Sequence, residues 1–98
     1  MVAAVDFKRA FEAGTRRHGE YFAVHRIANG LPKPRLGMVV AVKVAGSSVA
    51  RNRIKRLIRE AFRLRQRELA GWDWIVRARK TFPAIAMTAA RDDLARLL

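Results

Sequence analysis

The sequence predicts a two-layer α/β (α+β) sandwich on a small mixed sheet, with elements in the order α-β-β-(β)-α-β-α. Three observations lead there. The run Ala50–Arg63 sorts at helical pitch into an apolar stripe and a basic face. Three segments, 21–28, 36–44 and 72–79, carry the alternating or continuous apolar patterns of strands. Gly, Pro, Asn and Ser punctuate the transitions between them. Helices interspersed with strands in this way bury one face each against a shared sheet. The 98 residues, 51% of them hydrophobic, are read as one domain, 1–98.

Each element has its own signal. Val5–Ala13 is a short helix with Phe7, Ala10 and Phe11 on one stripe, Asp6 at its positive end and Gly14 at the C′ position. Arg16–Gly19 is a polar link. Tyr21–Ala28 alternates, Phe22 and Val24 facing one way and Tyr21, Ala23, His25 and Ile27 the other. The loop 29–34 joins it to the next strand and implies an extended hairpin. Leu36–Val44 is apolar on both faces, as a central strand should be. Ser47 or Ser48 caps a long helix from about Val49 to Leu69, which Gly71 closes. In Trp72–Arg79, Trp74, Val76 and Ala78 share one face; Ile75, Arg77 and Arg79 share the other, which is half basic and reaches solvent or a ligand. Met87, Ala90, Arg91, Leu94, Leu97 and Leu98 recur at helical spacing and make the C-terminus a helix.

Charge narrows the function. Lys and Arg number 21 against 8 Asp and Glu, a formal net charge of +13. A compact domain gains no stability from so much like charge, and nucleic acid is the commonest polyanion that compensates it. There is no apolar run of the roughly 20 residues that spans a bilayer. The start, Met1–Val5, is too short and too soon interrupted by Asp6 for a signal peptide. The absence of cysteine excludes disulfides, thiolate zinc sites and thiol catalysis, and suits a reducing cytosol.

A self-sufficient nuclease would need carboxylates or histidines converging on hydrated cations. Asp92-Asp93 is the only adjacent acidic pair, and neighbours on a helix point about 100° apart. Glu60 and Glu68 stand among arginines as ion-pair partners, and His18 and His25 share no obvious carboxylate. Binding fits better. Arginine forks grip phosphate with two hydrogen bonds, and Arg53, Lys55, Arg56, Arg59, Arg63 and Arg67 line one side of the long helix. Asn52 is either a polar residue of the first turn or a reader of a base or 2′-OH. Phe7, Phe11 and Tyr21 are either stacking platforms or core residues, and the pattern leaves both open. Trp72 and Trp74 read as packing residues.

At the long helix a family resemblance enters. Arg51-Asn52-Arg53-Ile54-Lys55-Arg56, with Arg59-Glu60 and Phe62-Arg63, resembles the signature of the protein subunit of bacterial ribonuclease P. Asp6–Gly14, Arg35–Val40 and Asp73–Arg79 resemble the flanking elements, and Arg63–Leu69 is similar to the proteobacterial members. The chain departs from the family in starting almost at the first helix, in having Val42-Lys43 where a Lys-Lys pair is common, in placing His25 where an aromatic residue is frequent, and in ending without a basic tail.

The resemblance implies a left-handed β-α-β crossover, opposite to the general rule. It implies a ribonucleoprotein that removes the 5′ leader of precursor tRNA, with magnesium ions held by the catalytic RNA, no cofactor bound by the protein, and a protein inactive alone. Arg51, Asn52, Arg53, Lys55, Arg56, Arg59 and Arg63 would face that RNA. Phe7, Phe11, His25 and Lys43 would line the cleft where the leader passes. The implied setting is cytoplasmic, with one protein copy per complex. Two other readings compete: a ribosomal-type RNA binder without a processing role, and a DNA-binding module with the Arg51–Arg67 helix in a major groove. The second lacks the short partner helix of a helix-turn-helix.

Overall fold

The computed structural model describes residues 11–12 and 14–98. Phe11 and Glu12 are helical; the rest of the predicted first helix, with Phe7, lies outside the described residues. Four strands, β1 (Thr15–His18), β2 (Phe22–Ala28), β3 (Arg35–Val39) and β4 (Trp72–Ala78), form one mixed sheet in the order β1-β2-β4-β3. Helices α1 (Val42–Ala45), α2 (Ser48–Leu64) and α3 (Gln66–Leu69) connect β3 to β4. A 3-10 turn (Ala84–Ala86) leads into α4 (Met87–Leu97).

The alternation of each strand sets up the layers. Phe22 and Val24 on β2, Leu36 on β3, and Trp74, Val76 and Ala78 on β4 point to one face. There they meet Ile54, Leu57, Ile58 and Phe62 of α2, Leu69 of α3, and Ala90, Leu94 and Leu97 of α4. Ala50, Ile54, Leu57, Ile58 and Phe62 recur at the three- and four-residue spacing that makes one helix stripe. The opposite face has no comparable layer among the described residues: Ile75 is buried there with only Ile27 and Val39 packed against it.

Four expectations are corrected. The 16–19 link contains an edge strand, β1, antiparallel to β2. Its alternation is invisible because every side chain is polar or charged and exposed, a composition that also discourages edge-to-edge pairing. The hairpin through 29–34 does not form: β4 lies between β2 and β3, antiparallel to the first and parallel to the second. The buried Asp73 carboxylate organises that arrangement. It accepts from Asn29 Nδ2 (2.9 Å) and from Arg35 Nε and Nη2 (both 2.7 Å), so both ends of the loop are tied to β4.

The strand predicted over 36–44 stops at Val39, the last β3 residue paired with β4, opposite Arg77. The chain must then leave the sheet to begin its crossover, and Ala41 O accepts from Val44 N and Ala45 N in a helical turn. Strand propensity in the valine-rich run yields to topology. The long helix is interrupted at Arg65, which leaves helical geometry (φ −122°, ψ 20°) and donates from Nη1 to Ala95 O of α4 (2.9 Å). The cap expectation holds at Ser47, whose hydroxyl accepts from Ala50 N (3.1 Å). Gly71, at φ +88°, makes the left-handed turn between α3 and β4 that side chains rarely adopt.

Candidate nucleic-acid interface

α2 lays its apolar stripe on the sheet, which turns Asn52, Arg56, Arg59 and Arg63 outward on the opposite side. All four are exposed. Arg56 and Arg59 have no carboxylate partner among the described residues. Arg63 is paired with Glu60 (2.5 Å), and that contact holds the Glu60 carboxyl below its ordinary range. In an exposed pair this contributes little to stability, and phosphate can displace Glu60.

The two arginines flanking Asn52 behave differently. Arg51 Nε donates to Val40 O (3.0 Å) where β3 ends, and Arg53 Nη2 donates to Phe82 O (2.8 Å) after β4. Both residues are half-buried, and Arg53 Nε is buried without a partner. The arginine pair therefore clamps the start of α2 to two other segments and orients Asn52 between them. Each guanidinium keeps further N–H groups for phosphate, because it offers five donors. Lys55 is half-buried on the Arg51 flank of the helix.

On the open sheet face, Phe11 and His25 come together, their rings edge to face with centroids 4.7 Å apart. Phe11 is 44% exposed, so it is not a core residue. His25 is 6% exposed and its Nδ1 has no hydrogen-bond partner. Burial, then the charges of Arg77 and Arg16, push the imidazole below its ordinary value of 6.5 and keep it neutral at pH 7. Phe11, exposed and held against the buried imidazole, offers an aromatic surface on which a base can stack. Lys43 stands apart from this pair, exposed on α1 beyond the end of β3.

Three arginines and a histidine outside the predicted set also project from this sheet face. Arg77 and Arg79 were flagged by the alternation of β4; Arg16 and His18 were hidden in the polar stretch read as a link. The remaining aromatics serve packing. Trp74 is buried with Nε1 donating to Leu69 O (2.9 Å), and Arg26 stacks over Trp72 at 4.2 Å. Tyr21 lies edge to face with Phe82, with Lys80 over its ring.

Among the described residues, no group of three or more His, Asp or Glu could hold a metal ion. The two buried carboxylates are occupied by protein donors. Asp73 is described above. Asp93 accepts from the backbone N–H groups of Glu20, Tyr21 and Phe22 (3.0–3.3 Å) and from Arg96 Nη2 (2.7 Å). No step is derived through a metal held by this chain.

A helix presenting a basic ridge on one side of the sheet, with an aromatic–histidine pair on the other, defines a small basic α+β protein suited to a polyanion. The comparisons make the class specific. The family model described as Ribonuclease P matches residues 1–98, and the chain belongs to that family. The Azotobacter vinelandii ribonuclease P protein component is 42% identical over 92 residues, which is 93% of this chain and 71% of the relative. The Pseudomonas aeruginosa component is 44% identical over 81 residues, 82% of this chain and 60% of the relative. Among solved structures, the Staphylococcus aureus RNase P protein superposes with a TM-score of 0.83 at 31% identity, covering 99% of this chain and 89% of that one. The Thermotoga maritima protein gives 0.76 at 29% identity, covering 100% and 96%. The chain thus spans as little as three fifths of a curated relative's length and nearly all of a solved one.

Proposed function

We propose that this chain acts in maturation of the tRNA 5′ end as the protein partner of a ribonuclease P RNA, with catalysis carried by that RNA. Asn52, Arg56, Arg59 and Arg63, helped by Arg51, Arg53 and Lys55, contact the catalytic RNA. Phe11, His25 and Lys43, together with Phe7, contact the 5′ leader of precursor tRNA. The observation that carries this reading is the division of labour around Asn52: two clamped arginines fix the helix start, and an exposed cation ridge follows it, in which Arg56 and Arg59 have no carboxylate partner among the described residues. That geometry matches a structured polyanion better than it serves the fold. The work proposed for the protein is to screen phosphate repulsion between two RNAs and to hold the leader in place. Magnesium, supplied at the RNA, would provide the hydrolytic chemistry.

One protein copy per complex and a cytoplasmic setting complete the proposal. No described helix is long and apolar enough to cross a membrane. The test is precursor-tRNA cleavage at low magnesium with a bacterial ribonuclease P RNA, with and without this protein, and with the protein alone. Stimulation only when both are present supports the reading. Cleavage by the protein alone overturns the assignment of chemistry to RNA. Tight RNA binding without stimulation favours a general RNA-binding role.

A further inference from the structure

Asn29 and Gly30 open the loop between β2 and β3, at the end of the sheet away from the start of α2. The register fixes that placement. Ala28 pairs with Trp72 and Arg35 with Asp73 at this end, while Val39 pairs with Arg77 at the end that leads into α1 and α2. Asn29 is half-buried, and both polar atoms of its side chain are engaged. Oδ1 accepts from Leu31 N (2.8 Å), and Nδ2 donates to Asp73 Oδ1 (2.9 Å) and to Lys33 O (3.3 Å). Gly30 is exposed, stands at φ +66°, and would have nothing within 4 Å of a Cβ. Its N–H donates to no backbone carbonyl among the described residues.

This arrangement brings a nucleophile to an electrophile. The ring closed between Asn29 Oδ1 and Leu31 N includes Gly30 N, so the side-chain carbonyl carbon of Asn29 is folded toward that nitrogen. The same hydrogen bond draws electron density from Oδ1, where negative charge develops when the carbon is attacked. Glycine sets no side chain beside the attacking nitrogen. Solvent reaches the exposed loop and supplies both a base and water.

We infer that Asn29-Gly30 is a site of spontaneous deamidation, in which the chain's own backbone converts Asn29 into an aspartyl or isoaspartyl residue. Solvent hydroxide takes the Gly30 amide proton, and Gly30 N bonds to Asn29 Cγ. The Cγ–Nδ2 bond then breaks, and Nδ2 leaves as ammonia with a proton from water. The cyclic imide that results is opened by water. Opening at Cγ restores the backbone and leaves aspartate; opening at the backbone carbonyl leaves isoaspartate. One water is consumed and one ammonia released, with no oxidant, reductant or cofactor. The product sets a carboxylate where the Asn29 amide donated to the buried Asp73. Two carboxylates so close cannot both ionise without cost. Arg35 still holds Asp73, and Lys33 stands exposed on the loop, but the tie from the end of β2 to β4 becomes a repulsion. A chain that ages in this way loses stability and leaves untouched the α2 side chains proposed to meet RNA.

The test incubates the full chain in mildly alkaline buffer, folded in one sample and unfolded in urea in another, and maps its peptides by mass. The expected result is the gain of an amide-to-acid exchange at Asn29 in both samples, with isoaspartate among the products. Asn52, the other asparagine of the chain, is the internal reference: it lies within α2, followed by Arg53, and should stay unchanged in the folded sample. A gain in the urea sample alone would show that the fold protects Asn29, and would overturn the inference. So would a gain at Asn52 equal to that at Asn29, or no gain in either sample. The consequence is read from Asn29→Asp and Asn29→Ala. At pH 7, Asn29→Asp should raise the unfolding constant by at least about tenfold, the scale of a lost hydrogen bond to a charged group, and by more than Asn29→Ala does. That excess should vanish as pH falls toward about 4, where the added carboxylate is protonated. An Asn29→Asp protein as stable as the wild type, or an excess that ignores pH, overturns the conflict with Asp73. If the variants do not fold, the incubated wild type gives the same reading, because its urea midpoint should fall in step with the mapped modification.

Discussion

Val24 and His25 are adjacent on β2 and both more than nine-tenths buried, yet their surroundings differ in kind. Val24 faces the layer of α2, α3 and α4, inside the main apolar cluster. His25 faces the other way, against Phe11, with Arg16 and Ile75 as cross-strand neighbours and an unpartnered Nδ1. On the helix side, most buried polar groups are satisfied: Trp74 Nε1 has the Leu69 carbonyl, and Asp93 has three backbone donors and Arg96, while Arg53 Nε alone lacks a partner among the described residues. On the open side, Arg16, Arg77 and His25 Nδ1 have none of this among the described residues. A face built for stability saturates its polar groups, because an unmet one costs about 1–3 kcal/mol when buried. A face that leaves them unmet has capacity for a ligand.

The sharpest way to break this contrast is at Asp93. Asp93→Ala strips acceptors from the Glu20, Tyr21 and Phe22 amides at the turn between β1 and β2, and unpins α4 from the sheet. The expected loss is about 3 kcal/mol, read as a fall in urea midpoint at constant slope. A loss below about 1 kcal/mol would show that water re-satisfies the turn and that the helix side is open to solvent there.

Gly19→Ala attacks the same junction from the other partner. A Cβ at Gly19 would fall inside the van der Waals envelope of the Asp93 carboxylate. We expect about 2 kcal/mol of destabilisation, within the range for overpacking. In the Asp93→Ala background the same change should be nearly neutral, because the clashing group is gone. Simple additivity in that double-mutant cycle would separate the two residues and refute the shared lock.

Neither residue of that lock was legible from sequence. Asp93 read as half of an adjacent acidic pair and Gly19 as part of a polar link, since a side chain reaching across more than seventy positions leaves no local pattern. The helix side was otherwise readable, because apolar periodicity reports burial: the α2 stripe, its Ser47 cap, the β2 and β4 alternations and the C-terminal helix all came through. Strand order did not. Placing β4 between β2 and β3 depends on Asp73 meeting Asn29 and Arg35, a contact between segments about forty residues apart. On the outer side of α2, charge showed that a basic surface exists but not which arginines are spent inward. Arg51 and Arg53 look equivalent to Arg56 and Arg59 in the motif, and only the carbonyls of Val40 and Phe82 distinguish them.

That distinction predicts a smaller and different pair of effects. Arg59→Gln should leave the urea midpoint almost unchanged, since exposed substitutions stay within about 0.5 kcal/mol. It should lower the salt slope of RNA binding by about 0.9 and weaken binding about fivefold at 0.15 M salt, if one duplex phosphate contact is lost. Arg53→Gln should reduce stability as well as binding, because its guanidinium holds the Phe82 carbonyl. Equal thermal behaviour of the two variants would erase the division between clamped and free arginines.

The smallest effect lies at His25 and reports the open face through pH. Burial, Arg77 and Arg16 lower its folded pKa below 6.5, so the unfolded chain takes up the proton more readily. Stability therefore rises with pH across this window: it is complete above about 6.5, and is lost as pH falls from there toward the folded value. His25→Phe should remove that part of the acid sensitivity while keeping the ring against Phe11. Glu20 and Glu60, held below 4.5 by Lys80 and Arg63, act only at lower pH, so the windows do not overlap. Urea midpoints for both proteins between pH 7.5 and 5 make the comparison. Parallel curves would mean that His25 is as easily protonated in the fold as out of it, and that the cations around it are already screened. A curve flattened by His25→Phe would show that the fold disfavours the charged imidazole, first through burial and then through the charges of Arg77 and Arg16.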